Sequence, residues 1–372
     1  MGKKIKIALV GLGFGAEFIP IYQNHPDTEL VAICQRSKDN LNLIGDRFNI
    51  AKRYTSFEEL LQDDSIDAVH INSPIPDHAE QSIAALKAGK HTACTVPMAT
   101  SIEDCRRIIA AQQESGKNYM MMETAVYTRE FLYVKSLRDS GELGRIQFLR
   151  GAHQQEMAGW PGYWEGLPPM HYATHAVSPL LALAEKEAER VYCLGSGQIA
   201  ERLAAVYQSP FAVESALFRL KDSNLAMEVT RSLFETSREY VESFDVYADK
   251  KSFEWQQLEA EQPVIFNGED GARIQIPDYA HLLPEGIRKY TMEGIYDSDE
   301  NQHLSFKQGS GHGGSHPHLA HEFVMSILEQ RAPFPDAFTS ANWTCAGLCA
   351  HISAMQNGEP VQLPDFRTEF GQ

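Results

Sequence analysis

The first third of the chain alternates short apolar segments with amphipathic helical segments. The apolar segments have the length and composition of buried strands, and they are IKIALV (5–10), ELVAICQ (29–35), IDAVHINS (66–73), KHTACTV (90–96) and NYMMME (118–123). The helical segments DHAEQSIAALKAGK and SIEDCRRIIAAQQESGK each end in Gly and Lys, as helix C-termini often do. Strand-helix alternation of this kind predicts a doubly wound parallel sheet.

A glycine-rich turn follows the first predicted strand and opens a helix. It reads Gly11-Leu12-Gly13-Phe14-Gly15-Ala16. Here Gly11 allows a tight turn, Gly13 lets the backbone approach a pyrophosphate, and Ala16 permits close helix packing. Ligands of such sheets bind beyond the carboxyl ends of the strands. This context favours dinucleotide binding by residues 11–15 over a plain glycine turn.

The end of the second predicted strand bears on which dinucleotide binds. An acidic residue there would bind the adenosine ribose of NAD, but the sequence reads Gln35-Arg36-Ser37-Lys38. These donors suit a 2′-phosphate; alternatively, Arg36 stacks on adenine and Lys38 is a solvated charge at a helix start. The sequence therefore predicts NAD or NADP as the cofactor.

The second part of the chain contains strands in succession. The segments with strand character are IQFLRGAHQQ, ERVYCLGSGQI, VESALFRL, NLAMEVTRSLF and ESFDVYADKKSFEWQ, and ADKK within the last is a hairpin turn signal. They predict a large, open, mainly antiparallel sheet with one face on helices and the other free for another subunit. We predict an α/β protein with a Rossmann domain over 1–125, a C-terminal α+β domain for substrate binding and oligomerisation over 126–372, and a homodimer or homotetramer.

Charge and composition narrow the partners and the compartment. The chain has 33 Lys+Arg against 50 Asp+Glu, a net charge of -17, which disfavours nucleic acid and anionic membranes. The apolar run in MGKKIKIALVGLG is too short and too glycine-rich for a signal peptide, and no run reaches the roughly 18 apolar residues of a membrane helix. The six cysteines form no CxxC pair. These features predict a cytoplasmic protein with reduced thiols and a small substrate.

Two histidines four residues apart stand out in PPMHYATHAVSP (168–179). If 170–184 is one helix, Tyr172 and His175 form an i,i+3 pair and His171 lies one turn before His175, so all three line one wall. A histidine titrating near neutrality, or a tyrosine polarised by it, can accept the proton of an alcohol during its oxidation.

Two other interpretations of these histidines stay open. They can form a zinc site, because further histidines lie in GSGHGGSHPHLAHEF at positions 312, 316, 318 and 321, or they can satisfy hydrogen bonds in a core. The sequence lacks HExxH and a cysteine partner. We therefore predict acid/base chemistry and no metal.

Several motifs in fixed order resemble the Gfo/Idh/MocA oxidoreductases, two-domain enzymes that oxidise or reduce sugars and cyclitols. They are GLGFGA (11–16), SPIPDHAEQSIAALKAGKH (73–91), the strand ending in TVPMA (95–99) and the helix bearing His175. The resemblance covers essentially the whole chain. It implies that one group of residues surrounds the cofactor: Ser73, Pro74, His78, Thr95 and Pro97, the last shaping the turn under the nicotinamide.

The chain departs from this family at two positions. Most members have a lysine before the proline of the TVPMA strand and an acid four residues before the active-site histidine, whereas this sequence has Val96 and His171. The usual Lys-Asp proton machinery is therefore absent.

A narrower resemblance fits these departures. MMETAVYTREF (121–131), HYATHAVSP (171–179) and GHGG (311–314) are similar to the α-N-acetylgalactosaminidase branch of this family. Those glycosidases use NAD as a recycled cofactor: they oxidise carbon 3, eliminate the aglycone, add water and reduce again. The resemblance implies catalytic roles for Tyr172, His175 and Glu123.

Further polar and aromatic residues are candidates for binding a carbohydrate. Trp160, Tyr163 and Trp164 in GWPGYWEGLPP offer aromatic faces for sugar rings, although a packed loop would look the same. His153 and Gln155 offer hydrogen-bond donors for hydroxyls, as do polar residues on any edge strand. His312 lies in the glycine-rich GHGG stretch, where uncovered backbone can approach substrate or cofactor.

The sequence leaves three functions open. We predict an NAD(P)-dependent oxidoreductase that acts on a sugar, cyclitol or glycoside by hydride transfer, with Tyr172, His175 and His171 as acid/base groups in place of the family lysine. The alternative is an NAD-dependent glycoside hydrolase or lyase that works by transient oxidation at carbon 3. The third is a non-catalytic cofactor-binding regulator, which the cluster of titratable residues disfavours.

Overall fold

The computed structural model describes residues 4–292 and 312–372, which divide into two compact units. Unit 1 comprises the residues up to 127 together with 278–341, and unit 2 comprises 128–277 together with 342–372. This division differs from the predicted one at 125/126 because residues 278–341 group with the N-terminal unit. Residues 293–311, among them Gly311 of the GHGG stretch, lie outside the described residues.

Unit 1 contains a six-stranded parallel sheet. Its strands are β1 Ile5–Val10, β2 Thr28–Cys34, β3 Lys52–Tyr54, β4 Ala68–Ile71, β5 His91–Cys94 and β6 Tyr119–Met121. They are ordered β3-β2-β1-β4-β5-β6, so the predicted doubly wound sheet is confirmed. Sequence analysis missed β3, whose three residues are polar and none of them buried, and which therefore shows no apolar run.

Helices cover the unit 1 sheet. Those preceding residue 127 are α1 Phe18–Asn24, α2 Lys38–Arg47, α3 Phe57–Leu61, α4 His78–Lys87 and α5 Ile102–Ser115. Serines begin three of them, for example Ser101, whose side chain accepts a hydrogen bond from the Asp104 amide. Because helices lie over both faces of a parallel sheet, its central strands are apolar without interruption, as in IKIALV and AVHI.

Residues 278–341 group with unit 1 because one of their helices packs against α1. Later helices of the chain are α9 His316–Leu328 and α10 Ala337–Met355, and the division at 341/342 falls within the latter. Leu319 and Phe323 of α9 share one hydrophobic cluster with Phe18 and Tyr22 of α1. An amphipathic helix can bury its apolar face against any matching apolar surface. The position of α9 in the sequence therefore does not predict that it packs on α1.

Unit 2 is built on a nine-stranded sheet. Its strands are β7 Ile146–Gln154, β8 Ala188–Ser196, β9 Val213–Leu220, β10 Ala226–Ser232, β11 Val241–Ala248, β12 Lys251–Glu254, β13 Val264–Asn267, β14 Asp270–Arg273 and β15 Val361–Gln362. They are ordered β14-β13-β12-β11-β7-β10-β9-β8-β15. All neighbours are antiparallel except β7 and β10. The predicted open antiparallel sheet is confirmed, and Asp249-Lys250 forms the predicted turn between β11 and β12.

One face of this sheet carries a helix. The unit 2 helices outside α10 are α6 Arg129–Asp139, α7 Thr174–Ala184, α8 Glu201–Tyr207 and α11 Phe366–Glu369. Gly151 on β7 lets α7 come close, because a Cβ there would lie 2.3 Å from the Ala176 carbonyl oxygen. On β8 and β9, Tyr192, Leu194 and Leu217 remain 40, 61 and 52% exposed. Association through this face stays a prediction.

No helix among the described residues has the length and apolar character that crossing a membrane requires.

Buried histidines give the described part of the chain a predictable response to acid. Burial lowers the pKa of five histidines to about 3 or 4: His25 (about 4), His70 (about 3), His91 (about 4), His171 (about 3) and His318 (about 4). In the unfolded chain histidine titrates near pH 6.5, so below that pH the unfolded state binds more protons. Their contribution to stability is therefore complete above about pH 6.5 and is lost as the pH falls toward the folded values.

We expect the urea midpoint of unfolding to be lower at pH 5.0 than at pH 6.5. As the pH falls through this window, each such histidine lowers the free energy of unfolding by at most about 1.4 kcal/mol per pH unit. Glu17 and His78 act in the opposite direction, because the pKa of the Glu17 carboxyl is raised to about 8 and that of the His78 imidazole to about 9, but they are two groups against five. An equal or higher midpoint at pH 5.0, measured by circular dichroism, would contradict this expectation.

Candidate active site

The glycine-rich turn of unit 1 has the backbone that its sequence predicts. Gly11 has a φ of +81°, and a Cβ there would lie 2.4 Å from the Asn72 carbonyl oxygen. The Leu12 amide donates a hydrogen bond of 2.8 Å to the Gln35 side chain. The turn after β1 is therefore fixed by β4 on one side and by the end of β2 on the other.

This turn lies where the strand order reverses, since β1 stands between β2 and β4. Dinucleotides bind at such a switch point. Gly13 is exposed and leaves its backbone uncovered, whereas Gly15 is buried and has no room for a side chain, because a Cβ would lie 2.9 Å from the Asn72 amide. Arg36 is exposed just beyond the end of β2. This geometry fits a pyrophosphate on the turn.

His312, predicted to bind substrate, lies in unit 1 beside the glycine-rich turn. The centre of its ring is 5.7 Å from that of Phe14, and the ring of His316 is 5.4 Å from Phe14. His316 in turn places Nδ1 2.8 Å from the buried carboxylate of Glu17. The described part of the GHGG stretch thus lies next to the predicted nucleotide-binding turn.

His78 joins the two loops predicted to surround the cofactor. Its Nδ1 lies 2.8 Å from the Pro97 carbonyl oxygen and its Nε2 lies 2.9 Å from the Ser73 carbonyl oxygen. Carbonyl oxygens only accept hydrogen bonds, so both ring nitrogens donate and the imidazole is cationic. Burial opposes that charge, but Cys94 and the two carbonyls outweigh it and raise the pKa of His78 to about 9. His78 therefore fixes the backbone of Ser73 and Pro97 through these two hydrogen bonds.

Thr95 and Pro74 flank the same loops. The Thr95 hydroxyl donates to the Ile71 carbonyl oxygen at 3.3 Å, and Pro74 precedes the short helical turn Ile75–Asp77. Val96, which stands where most family members have lysine, is buried and brings no proton-transfer group. Contact of these residues with the cofactor stays a prediction.

The Tyr172-His175 pair of unit 2 is formed by two separate helical segments. Residues Pro169–Tyr172 form a 3-10 turn and α7 begins at Thr174, with Ala173 between them at φ −99° and ψ 0°. The prediction of one helix over 170–184 is therefore wrong. The turn at Ala173 nevertheless brings Tyr172 and His175 together, with 3.2 Å between the hydroxyl oxygen and Nε2.

His171 does not join that pair. Its ring centre lies 4.8 Å from that of His351 and 6.3 Å from that of Tyr207. Burial, with His351 adding to the effect, lowers the pKa of His171 to about 3, so it is neutral at physiological pH. The prediction that His171, Tyr172 and His175 line one wall is wrong, because the break at Ala173 rotates His171 away from α7.

His153 and a carboxylate surround the Tyr172-His175 pair instead. The His153 ring centre is 5.3 Å from that of His175 and 5.4 Å from that of Tyr240. Glu242 Oε1 lies 3.6 Å from His153 Nε2 and 3.9 Å from His175 Nε2, and it accepts a hydrogen bond from the Tyr240 hydroxyl. Together with Arg231, described below, these residues form what we call the acid/base cluster. Its members are His153, Tyr172, His175, Arg231, Tyr240 and Glu242.

Arg231 is fully buried beneath the acid/base cluster. Its guanidinium donates to the carbonyl oxygens of Tyr172 and His153 at 2.9 Å each, to that of Ser232 at 2.6 Å, and to the Gln155 side chain at 3.1 Å. Burial lowers the pKa of Arg231 to about 10, which leaves it charged. Gln155, predicted to bind substrate, thus holds the guanidinium.

Replacing Arg231 by leucine is expected to lower the free energy of unfolding by more than about 2 kcal/mol, because it leaves buried carbonyl oxygens without donors. Urea denaturation followed by tryptophan fluorescence measures the change. Arg219 on neighbouring β9 is exposed, so Arg219→Leu serves as the matched control with a change below about 0.5 kcal/mol. Equal stability of the two variants would contradict a stabilising role for the hydrogen bonds of Arg231.

The aromatic loop before the 3-10 turn packs against Tyr172. Trp164 is buried and its ring centre lies 4.7 Å from that of Tyr172. Trp160 and Tyr163 are partly exposed, with ring centres 5.5 and 5.6 Å from that of Trp164. Trp164 therefore supports Tyr172, while sugar stacking on Trp160 and Tyr163 stays a prediction.

Glu123, predicted to be catalytic, lies in unit 1 and is fully buried. Its carboxylate accepts a 3.0 Å hydrogen bond from the Ala125 amide and caps the short turn Thr124–Val126.

Residues 4–292 and 312–372 contain no group of three or more His, Cys, Asp or Glu placed to hold a metal ion.

Sequence analysis missed Arg231, Tyr240 and Glu242. The signal available was weak: an arginine inside the apolar strand NLAMEVTRSLF, and polar residues at the start of the next strand. Their proximity to Tyr172 depends on the pairing of β7 with β10 and with β11, where Arg231 and Glu242 both lie opposite His153.

The fold and the glycine-rich turn together define a protein with an NAD-type Rossmann unit. Residues 5–123 match the model of the Gfo/Idh/MocA family, described as an oxidoreductase family with an NAD-binding Rossmann fold. The predicted family resemblance is confirmed, and the match supports NAD as the cofactor.

Three similar proteins match different shares of the chain. A glycosyl hydrolase family 109 protein of Bacteroides thetaiotaomicron is 22% identical over 406 aligned positions, covering 97% of this chain and 84% of that protein. An inositol 2-dehydrogenase of Salmonella typhimurium is 30% identical over 153 positions, 40% of this chain and 46% of that protein. The scyllo-inositol dehydrogenase of Lactobacillus casei, solved with NAD(H) and scyllo-inositol, superposes with a TM-score of 0.72 at 20% identity, covering 97% and 99% of the chains.

Proposed function

We propose that this protein is an NAD-dependent enzyme that acts on a carbohydrate or cyclitol by hydride transfer. The observation that carries the proposal is the Tyr172-His175 hydrogen bond within the acid/base cluster, on a chain whose residues 5–123 match the model of an NAD-binding family. The names of the similar proteins, inositol dehydrogenases and glycosyl hydrolases, support a polyhydroxylated substrate.

Each unit contributes a separate part of this chemistry. NAD, when bound, supplies the hydride acceptor, and the turn over 11–15 would hold its pyrophosphate. The Tyr172 hydroxyl is suited to accept the proton of the substrate hydroxyl while its own proton passes to His175 Nε2, 3.2 Å away. Trp164 and the bonds from Arg231 keep Tyr172 in this position. The pair thereby performs the task of the family lysine that Val96 replaces.

A glycosidase that works through transient oxidation is the second candidate. The glycosyl hydrolase family 109 similarity spans 97% of the chain, whereas the inositol dehydrogenase similarity spans 40%. Elimination after oxidation removes a proton from the carbon beside the ketone, so it needs a further base. His153, beside His175 and Glu242, is a candidate for that second base.

The two candidates separate in one assay. The purified protein with NAD is incubated with free sugars, cyclitols and p-nitrophenyl glycosides, while absorbance at 340 nm and nitrophenol release are followed together. A dehydrogenase forms NADH with free sugars, and a redox-assisted glycosidase releases nitrophenol with no net NADH. Absence of both signals across the panel, with NAD binding intact, would contradict the proposal and favour a regulator.

Gly13→Val makes this assay specific to the redox chemistry. Both activities should vanish in this variant, since both need NAD. Nitrophenol release at the wild-type rate in a Gly13→Val variant that no longer binds NAD would show hydrolysis without a nucleotide and would contradict the redox route.

A further inference from the structure

We propose that Glu242 is a positioning residue that stabilises the imidazolium of His175 when His175 takes the proton of Tyr172. This inference rests on the proposed function and deepens it by identifying the carboxylate that stabilises the positive charge on His175. Tyr172 and His175 followed from the sequence motif, whereas Glu242 lies on β11, about 70 residues away in the chain.

The distances place one carboxylate oxygen against both imidazoles. Glu242 Oε1 lies 3.9 Å from His175 Nε2 and 3.6 Å from His153 Nε2. His175 Nε2 is also the nitrogen that faces the Tyr172 hydroxyl. The proton that leaves Tyr172 therefore arrives at the ring atom nearest the carboxylate.

Burial makes this charge effective. The side chains of His175 and His153 are 4% and 1% exposed, and that of Glu242 is 11% exposed. Water screens a pair at this depth poorly, so an ion at 3.9 Å stabilises the cationic imidazole more than it would at the surface. A carboxylate within this distance typically moves a titration by about one pH unit or more.

Other titratable groups face Glu242 from each neighbouring element. They are His153 on β7, Tyr172 on the 3-10 turn, His175 on α7, Arg231 on β10 and Tyr240 just before β11. Among the described residues, the hydrogen bonds of the Arg231 guanidinium run to the carbonyl oxygens of His153, Tyr172 and Ser232 and to Gln155. Tyr240 donates its hydroxyl to Glu242 and fixes the carboxylate. Glu242 Oε1 therefore faces both histidines, and the carboxylate also interacts through space with the charge of Arg231.

The proposed step moves one proton and leaves Glu242 ionised. The O–H bond of Tyr172 breaks as a new N–H bond forms at His175 Nε2, while Tyr172 takes the proton of the substrate hydroxyl. The new positive charge on His175 is then balanced by Glu242. An orienting carboxylate acts in this way in Ser-His-Asp triads, where it stabilises the imidazolium without taking the proton.

The first test needs no substrate. We expect the NMR midpoint of the His175 imidazole titration to fall by about one pH unit in Glu242→Gln relative to wild type, because the neutral amide no longer favours the cation. His175→Gln assigns the signal. Glu254→Gln is the matched control, because Glu254 on β12 also accepts a tyrosine hydroxyl, that of Tyr247, at 3.0 Å. An unchanged midpoint in Glu242→Gln, or an equal shift in Glu254→Gln, would overturn the proposal.

The second test uses turnover and a variant that keeps the charge. In Glu242→Gln, kcat should fall about tenfold with KM little changed, and the acidic limb of the pH profile should move to lower pH. Glu242→Asp should restore the wild-type limb. If Asp and Gln variants lose kcat equally with wild-type titration midpoints, the effect is packing and the proposal is wrong. If wild type turns over none of the substrates, the NMR titration still decides the role of Glu242, so the two failures are distinguishable.

Discussion

Replacing His175 by alanine is expected to lower kcat by at least about 100-fold, the usual loss for an acid/base group. His175 is the residue that receives the Tyr172 proton in the proposed step, and its Nε2 lies 3.2 Å from the Tyr172 hydroxyl. Binding of NAD should stay close to wild type, since the nucleotide-binding turn belongs to unit 1. Steady-state kinetics with the substrate found in the panel, together with calorimetric titration of NAD, measures both quantities.

His171→Ala provides the comparison that the structure makes informative. Because His171 lies beside His351 and away from the Tyr172-His175 pair, its loss should lower kcat by less than about tenfold. The sequence pattern alone treats the two histidines as equivalent. A larger loss of kcat in His171→Ala than in His175→Ala would contradict the assignment of the acid/base pair.

Replacing Gly13 by valine is expected to weaken NAD binding more than about 100-fold, because the side chain would occupy the space that the pyrophosphate approaches. Gly13 is exposed, so the thermal midpoint of the apoprotein should change little. Calorimetric titration with NAD and a thermal melt measure the two effects.

Gly162→Val is the matched control for this change. Gly162 is also exposed, and a Cβ there would meet no atom within 4 Å. It should bind NAD as wild type does. Undiminished NAD binding in Gly13→Val would contradict the assignment of residues 11–15 as the nucleotide-binding turn.

The sequence predicts the elements of the fold well where the pattern is local. The five predicted strands of unit 1 and the hairpin at Asp249-Lys250 follow from apolar runs and turn residues, and the structure contains them. The sequence predicts poorly where the outcome depends on distant partners. Residues 278–341 group with unit 1 because α9 packs on α1, and β3 forms by pairing with β2 although its residues carry no apolar pattern.

The candidate site shows the same contrast. Tyr172 and His175 are three residues apart, so a local motif suffices to find them. The helix break at Ala173 escaped prediction, because alanine favours helix and its backbone is set by the surrounding structure. Arg231 and Glu242 reach the site through the pairing of β7 with β10 and β11, which strand patterns alone do not specify.

Proton NMR in heavy water tests the central claim, NAD-dependent hydride transfer on a carbohydrate, most directly. The purified protein is mixed with a panel of sugars, cyclitols and glycosides, and the oxidised and reduced NAD pools are quantified in the same sample. The account predicts a keto product with an equal amount of NADH, or free sugar that carries deuterium at carbon 2 with no net NADH. Substrate conversion that gives neither signature and continues after NAD is removed would contradict it.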